Sequence, residues 1–336
     1  MSPIRPDLVE LATALDALVT NEVTPSYALA LRRDGELTQR FGGRLDGSAQ
    51  VPDPATVYDV ASLTKILATW GVVGRLIHDG HLALNAPLSR FFPGIGAGVG
   101  RHTVADLLTH RTTLPTATWL ARYGDDIKHG VLTAATEDRS AVPAQYLNRG
   151  YLILGWLVEV IAGRPLSEVT ADEWWRPLGM HDTQFTPLTG GIDPDRIAPT
   201  EVLADGNRLR GVVHDENARL LGGVAGHAGV FSTLADLALF LTALTDAPET
   251  LGLSQDYLAQ SRSPLVPWTE TRQRAIGWWV TPDQSLVRHD GFTGTTICYS
   301  PATGDFGILL TNAVYYSRRN PAVNQVRDQL SRAVAG

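Results

Sequence analysis

The chain has 336 residues, 44% hydrophobic and 19% charged, enough to bury a substantial core in one large or two medium lobes and ordinary for a globular enzyme. A net charge of −7 with no long basic run argues against nucleic acid or an anionic membrane surface as partner. The single cysteine, Cys298, excludes an intramolecular disulfide and reads as a packed core thiol in an apolar strand pattern.

Residues 1 to 20 read as a helix. They are not a signal peptide, because Asp7, Glu10 and Asp16 interrupt the apolar stretch that such a segment needs. If Met1 is the natural start, a cytoplasmic protein is expected. Strands follow near residues 26 to 42. Val57-Tyr-Asp-Val-Ala61 then leads into Ser62-Leu-Thr-Lys65. Leu63, Ile66, Leu67, Trp70, Val73 and Ile77 recur at helical spacing and Gly80 is a stop signal, which predicts a helix from about 62 to 79. Residues three apart share one helix face, so the Ser62 hydroxyl and the Lys65 amine can meet. A serine hydroxyl becomes a useful nucleophile only when a base takes its proton. Near a helix N-terminus, free backbone N–H groups also favour developing negative charge. The apolar run behind Lys65 puts the amine at the head of a buried helix, not on a charged face.

Residues 93 to 100 are glycine-rich but lack both the dinucleotide fingerprint spacing and a Gly-Lys-Ser/Thr sequence, so a flexible connection is expected. Residues 101 to about 205 are expected to be mainly helical. Within them, Tyr146-Leu-Asn148 sits in the loop before a buried helix that runs to Gly163. Asn148 has the donors and the acceptor needed to orient Lys65 and a substrate carbonyl. Which of Lys65 and Tyr146 holds the shared proton stays open. From Gly222 onward come a strand, a helix starting near Thr233, and strand-like segments at 275–280, 295–299 and 306–311, with Thr303-Gly-Asp305 as a turn. His289-Asp-Gly291-Phe292 lies among them, and a glycine beside a polar residue on a strand permits close approach by a ligand.

No metal-ligand spacing appears, so no metal or cofactor is expected. His214-Asp215 and His227 invite a triad with Ser62, but the chain has no Gly-x-Ser-x-Gly elbow and an α/β-hydrolase is not supported. His227 reads as part of the loop before Val230-Phe231, beside the cleft, and His214 has no assigned role. No stretch of about 18 apolar residues is free of charge, as a membrane span requires; the nearest, around 151 to 162, contains Glu159.

Ser62-x-x-Lys65, Tyr146-x-Asn148 and His289-x-Gly291, in this order, make the chain resemble the serine β-lactamase and penicillin-recognising family, in its class C, DD-peptidase and esterase branch. The resemblance covers nearly the whole chain. Tyr27-Ala-Leu-Ala-Leu-Arg-Arg-Asp-Gly-Glu-Leu37 is similar to the family's first hairpin, with Asp34-Gly35 as its turn. Thr103-Val-Ala-Asp-Leu-Leu-Thr-His-Arg-Thr-Thr-Leu-Pro115 and Gly226-His-Ala-Gly-Val-Phe-Ser-Thr-Leu-Ala-Asp-Leu237 are similar to two further family segments. The resemblance implies an α/β fold of the α+β type, β-lactamase/transpeptidase-like, with an antiparallel sheet flanked by helices. It implies an α/β lobe of residues 1–80 plus 206–336, an inserted mainly helical lobe of residues 81–205, and a site in the cleft between them. In that site Ser62 attacks an ester or amide carbonyl, and the Lys65/Tyr146 pair moves the proton. Asn148, His289 and Gly291 hold the pair and the substrate. The oxyanion lies between the backbone N–H groups of Ser62 and Phe292.

Two positions depart from the family pattern. His289 stands where many members carry lysine, and a histidine is only fractionally charged at neutral pH, so the site is expected to depend less on a substrate carboxylate. Thr112-Thr113 stands where Ser-Gly is usual, at a structural position. The expected activity is therefore that of a serine esterase or acyltransferase on a small acyl ester. A DD-peptidase, D-aminopeptidase or β-lactamase on the same scaffold, or a slowly acylating penicillin-binding sensor, are the alternatives. Trp119, Trp278, Trp279 and Phe292 are candidates for an apolar acyl pocket, with burial in the core as their default. The sequence names neither the acyl acceptor nor an oligomeric state.

Overall fold

The computed structural model describes residues 6–46, 49–117, 119–138 and 144–336. Its eleven strands are Ser26–Arg33 (β1), Glu36–Gly43 (β2), Val57–Asp59 (β3), Gln184–Phe185 (β4), Val230–Thr233 (β5), Val266–Pro267 (β6), Gln273–Arg274 (β7), Trp279–Val280 (β8), Val287–Asp290 (β9), Thr296–Tyr299 (β10) and Phe306–Thr311 (β11). β1 and β2 form a hairpin in which Asp34 and Gly35 both take positive φ, 51° and 79°, the turn geometry that matches right-handed strand twist. β1 pairs on its other side with β11, so strands from both ends of the chain share one sheet. That sheet runs β2-β1-β11-β10-β9-β8-β7-β6, each strand antiparallel to its neighbour.

Alternation along β1 sends Tyr27, Leu29 and Leu31 to one face and Ala28 and Ala30 to the other. On the first face, Leu11 and Leu15 of the helix Pro6–Thr20 pack with Val326 and Leu330 of the helix Pro321–Ala335, over Cys298, which is buried as expected. On the second face lies the main core. It joins Ile297, Ile308 and Leu310 to the helix Leu234–Asp246 and to Trp70. Trp70 has Trp174, Phe240, Tyr257 and Trp278 around it and donates its indole N–H to Ser261. A mixed α/β fold with an antiparallel sheet flanked by helices is what the sequence led us to expect.

Two local expectations need correction. Residues 97–100 are not an open loop but a helical turn that buries Val99. The segment 275–280 is not one strand. It breaks between β7 and β8 at Gly277, φ 83°, where a side chain would run into the Trp70 ring. Residues 101–205 hold the helices Val104–Leu108, Ile127–Leu132, Asn148–Ala162 and Leu166–Thr170, but also long irregular stretches and β4. β4 joins β5 and β3 in a second, three-stranded sheet. Among the described residues no helix is long and apolar enough to cross a membrane.

Candidate active site

The predicted helix at 62–79 is composite. It opens with the 3-10 turn Ala61–Leu63, continues as a wide π-helix over Lys65–Trp70, and ends as the α-helix Gly71–His78. Insertions of π-helix recur at functional sites, where they re-aim side chains. Ala61, just before Ser62, takes φ 47°, a strained value for a residue with a Cβ. The Asp59 carboxylate holds it there, accepting the N–H of Ala61 at 2.8 Å and that of His214 at 2.7 Å. Burial pushes the Asp59 carboxyl up to about 6. Lys65 is fully buried, and its Nζ donates to Ser62 Oγ at 2.9 Å and to the His227 carbonyl at 3.2 Å. A hydroxyl with an amine at this distance is what nucleophilic acyl transfer requires.

Tyr146 lies in the loop before the helix Asn148–Ala162, which ends at Gly163 in the left-handed conformation. The centre of its ring is 4.8 Å from Lys65 Nζ, 4.5 Å from the His110 ring and 6.3 Å from the His289 ring. The structure thus gathers the hydroxyl, the amine and the phenol, but Tyr146 meets the ammonium with its ring. No hydrogen bond links its hydroxyl to Ser62 or Lys65. Asn148, expected to orient Lys65, makes no hydrogen bond to it. Its Oδ1 is buried without a partner, beside a small cavity that it shares with Arg149 and His227. The His227 ring turns the other way and meets Asp215, Nε2 to Oδ1 at 3.1 Å.

His289 sits buried on β9, and both ring nitrogens lack a partner. Burial, and then the nearby Lys65 cation, push its pKa down to about 3, so the ring is neutral at neutral pH. Gly291 lines the cleft and also leaves no room for a side chain: a Cβ there would lie 2.0 Å from Thr295 Oγ1 and 2.5 Å from the Val60 carbonyl. Thr293 Oγ1 donates to the Asp59 carbonyl at 2.7 Å and Thr295 Oγ1 to the Val60 carbonyl at 3.1 Å. These bonds fasten the loop after β9 to the turn that carries Ser62. Among the described residues, neither the Ser62 N–H nor the Phe292 N–H donates to a protein acceptor.

Ser62, Tyr146, His289 and Gly291 line a cleft of about 310 Å³ together with Trp268, Arg272, Arg274, Trp279, Asp290, Phe292 and Arg327. Trp278 belongs to the core against Trp70 and not to this wall, and Trp119 is exposed outside it. Arg274 is 1% exposed. Its guanidinium lies 3.4 Å over the Trp268 ring and 5.1 Å from the Tyr146 ring. No carboxylate among the described residues pairs with it, and Nε and Nη2 are buried without partners. Burial lowers its pKa to about 10, which leaves it charged at neutral pH. Buried polar atoms normally find partners, so His110 Nε2, both His289 nitrogens and two Arg274 nitrogens, unpaired around the Tyr146 ring, mark a place for a ligand or water.

Sequence reasoning missed His110, Trp268 and Arg274. His110 takes φ 57° and accepts the Leu147 N–H on Nδ1 at 3.1 Å, while its carbonyl accepts the Gln145 N–H. It therefore holds the residues on both sides of Tyr146. His110 lies in the quoted segment 103–115, which was its one signal; nothing local marks Arg274.

Residues 11–331 match the sequence profile of the family described as Beta-lactamase. An N-acetylmuramyl-L-alanine amidase of Bacillus subtilis (strain 168) is 26% identical over 96% of this chain and 87% of its own length. A putative D-alanyl-D-alanine carboxypeptidase of Escherichia coli (strain K12) is 26% identical over 94% and 85%. Among solved structures, a class C β-lactamase from Rhodobacter sphaeroides superposes with a TM-score of 0.77 at 18% identity, covering 97% of this chain and 99% of that one. The octameric penicillin-binding protein homologue from Pyrococcus abyssi gives 0.75 at 22% identity, covering 96% and 77%.

Proposed function

This chain belongs to the β-lactamase family and is a serine hydrolase of the β-lactamase and penicillin-binding-protein type, and we propose that it works through an acyl-enzyme on Ser62 with a substrate that bears a carboxylate near the scissile bond. Ser62 Oγ attacks the acyl carbonyl while its proton passes to the Lys65/Tyr146 pair. The tetrahedral oxyanion sits between the N–H groups of Ser62 and Phe292. As the carbonyl reforms, the bond to the leaving group breaks and the pair returns the proton to it. A water molecule then adds to the acyl-Ser62 carbonyl, gives its proton to the pair, and Ser62 leaves with that proton. In this reading residues 81–205 bring Tyr146 and Asn148 to the cleft, and residues 1–80 with 206–336 bring Ser62, Lys65, His289, Gly291 and Phe292.

The observation that carries the substrate side is Arg274. An unpaired buried guanidinium carries a desolvation cost that a bound anion offsets. Planar bidentate pairing to a carboxylate is the contact it is shaped for. His289 is neutral and does not fill that role, so in this reading the cation that many family members carry at the third motif comes from β7 instead. A substrate of this kind is a peptide's C-terminal end, in keeping with the relative named as a putative D-alanyl-D-alanine carboxypeptidase. An esterase or transacylase on a small acyl ester is the second reading. It is favoured by Trp268, Trp279 and Phe292, which offer an aromatic wall to an acyl chain.

The test is a comparison of kcat/KM on a D-alanyl-D-alanine peptide with a free carboxylate, on its carboxamide, and on a neutral p-nitrophenyl ester, with nitrocefin hydrolysis and penicillin trapping followed by intact mass alongside. A preference of more than about tenfold for the free carboxylate over the carboxamide, as one charge-assisted contact provides, is expected. Equal rates on the two peptides with fast ester turnover would sink this reading in favour of the esterase.

A further inference from the structure

The peptide unit between Gly291 and Phe292 has two working ends. Its N–H is the free donor assigned to the oxyanion. Its carbonyl, that of Gly291, accepts Nη2 of Arg327, which reaches it from the helix Pro321–Ala335. The same Nη2 donates to the Thr295 carbonyl at 3.0 Å. The Arg327 side chain is 11% exposed and makes no tight ion pair among the described residues. Asp290 Oδ1 stands 3.9 Å from its Nε and is engaged more closely by Arg288, at 2.8 Å, and by Thr296 Oγ1, at 2.8 Å. Arg327 Nη1 donates to Asn324 Oδ1 at 3.0 Å, and its Nη2 is directed at the two backbone carbonyls.

An amide is a conjugated unit. A cation on its oxygen draws electron density from the nitrogen and strengthens the N–H as a donor, and the bond fixes the plane in which that N–H points. Oxyanion stabilisation depends on donors held in place before the charge develops. We propose that Arg327 is a positioning residue that orients and polarises the Gly291–Phe292 peptide so that the Phe292 N–H acts as an oxyanion donor. This rests on the oxyanion reading of Phe292 given above. A mere structural cap of two carbonyls would use the same hydrogen bonds, so the test must read the oxyanion and not the fold.

Arg327→Met and Arg327→Lys are compared with the wild type on a p-nitrophenyl ester and the thionoester of the same acyl group. Sulfur is larger and accepts hydrogen bonds weakly, so an enzyme that uses oxyanion donors hydrolyses the oxygen ester faster. The wild type is expected to show that preference. Arg327→Met should lower kcat on the oxygen ester by roughly tenfold to a hundredfold, less than loss of the donor itself. KM should stay within about threefold and the oxygen-over-sulfur ratio should shrink. Arg327→Lys, which keeps a cation and serves as the readout if the methionine variant does not fold, should recover part of both. Variants that lose activity on both esters equally, with the wild-type ratio intact, or whose loss follows only their melting temperature, would reduce Arg327 to a cap and overturn the proposal. A wild type with no oxygen-over-sulfur preference would remove the oxyanion reading together with it, which separates the two failures.

Discussion

Lys65 Nζ lies 2.9 Å from Ser62 Oγ and has no carboxylate partner among the described residues; its other hydrogen bond is to the His227 carbonyl, and the Tyr146 ring lies 4.8 Å away. In the proposed mechanism this amine and Tyr146 exchange a proton with the hydroxyl. Ser62→Ala should abolish turnover and the mass shift of a penicillin or ester adduct, with an unchanged melting temperature. Lys65→Met should slow acylation by about 10³-fold, within the range of positioned acid–base groups, measured as the rate of adduct formation. Covalent labelling retained in Ser62→Ala would end the account.

Arg274→Met should separate stability from function. Removing a buried unpaired cation while keeping the stem that lies on Trp268 should raise the melting temperature of the ligand-free protein. It should also lower kcat/KM on the free-carboxylate peptide by about tenfold to a hundredfold, the worth of one charged hydrogen bond, and leave the neutral ester within about threefold. Differential scanning calorimetry and the two assays check it.

His289 gives a pH signature of defined sign. Its folded-state pKa is held down to about 3 by burial and by Lys65, so between that value and the ordinary histidine range the unfolded chain binds a proton that the folded one does not. Its contribution is fully present above the ordinary range and is lost as pH falls, by up to about 1.4 kcal/mol per pH unit. His110, lowered by burial, Arg274 and Lys65, acts in the same direction. Asp59 acts oppositely: pushed up to about 6, its contribution is present at low pH and lost as pH rises through that value. Because the other two remain, His289→Gln isolates one group. Its urea-unfolding free energy should fall by roughly 2 kcal/mol less than that of the wild type between pH 6.5 and 5.

Gly291→Ala should fail for lack of room. The new Cβ would meet the Val60 carbonyl as well as Thr295, and the carbonyl belongs to the backbone leading into the nucleophile turn. A loss of roughly 3 kcal/mol in stability is expected, at the upper end for overpacking. The double variant Gly291→Ala/Thr295→Ala should not recover activity, because the backbone contact persists. Full rescue by it would show that the side chain alone set the limit.

Ser62, Lys65 and the helix around them were legible because their relation is local: spacing along one segment fixes which groups face each other. The first hairpin was legible for the same reason, since Asp34 and Gly35 carry the turn in their own conformational preferences. Arg274 was not legible. Its meaning depends on Trp268 beneath it and Tyr146 beside it, contacts that span more than a hundred residues of sequence to the phenol. The expectation that a fractionally charged His289 loosens carboxylate dependence was drawn from one residue and did not weigh Arg274, which β7 brings to the same cleft. The strain at Ala61 was equally hidden, because the Asp59 carboxylate that fixes it is shared with the backbone N–H of His214, 155 residues away along the chain.

The threonine fastenings at Asp59 and Val60 have a consequence for motion. The attacking oxygen and both amide donors belong to one cross-tied block, whereas the phenol rides on a segment tethered at both flanks to His110. On the mechanism proposed above, loosening that tether would move the phenol and leave Ser62, Lys65 and the two amide donors in place.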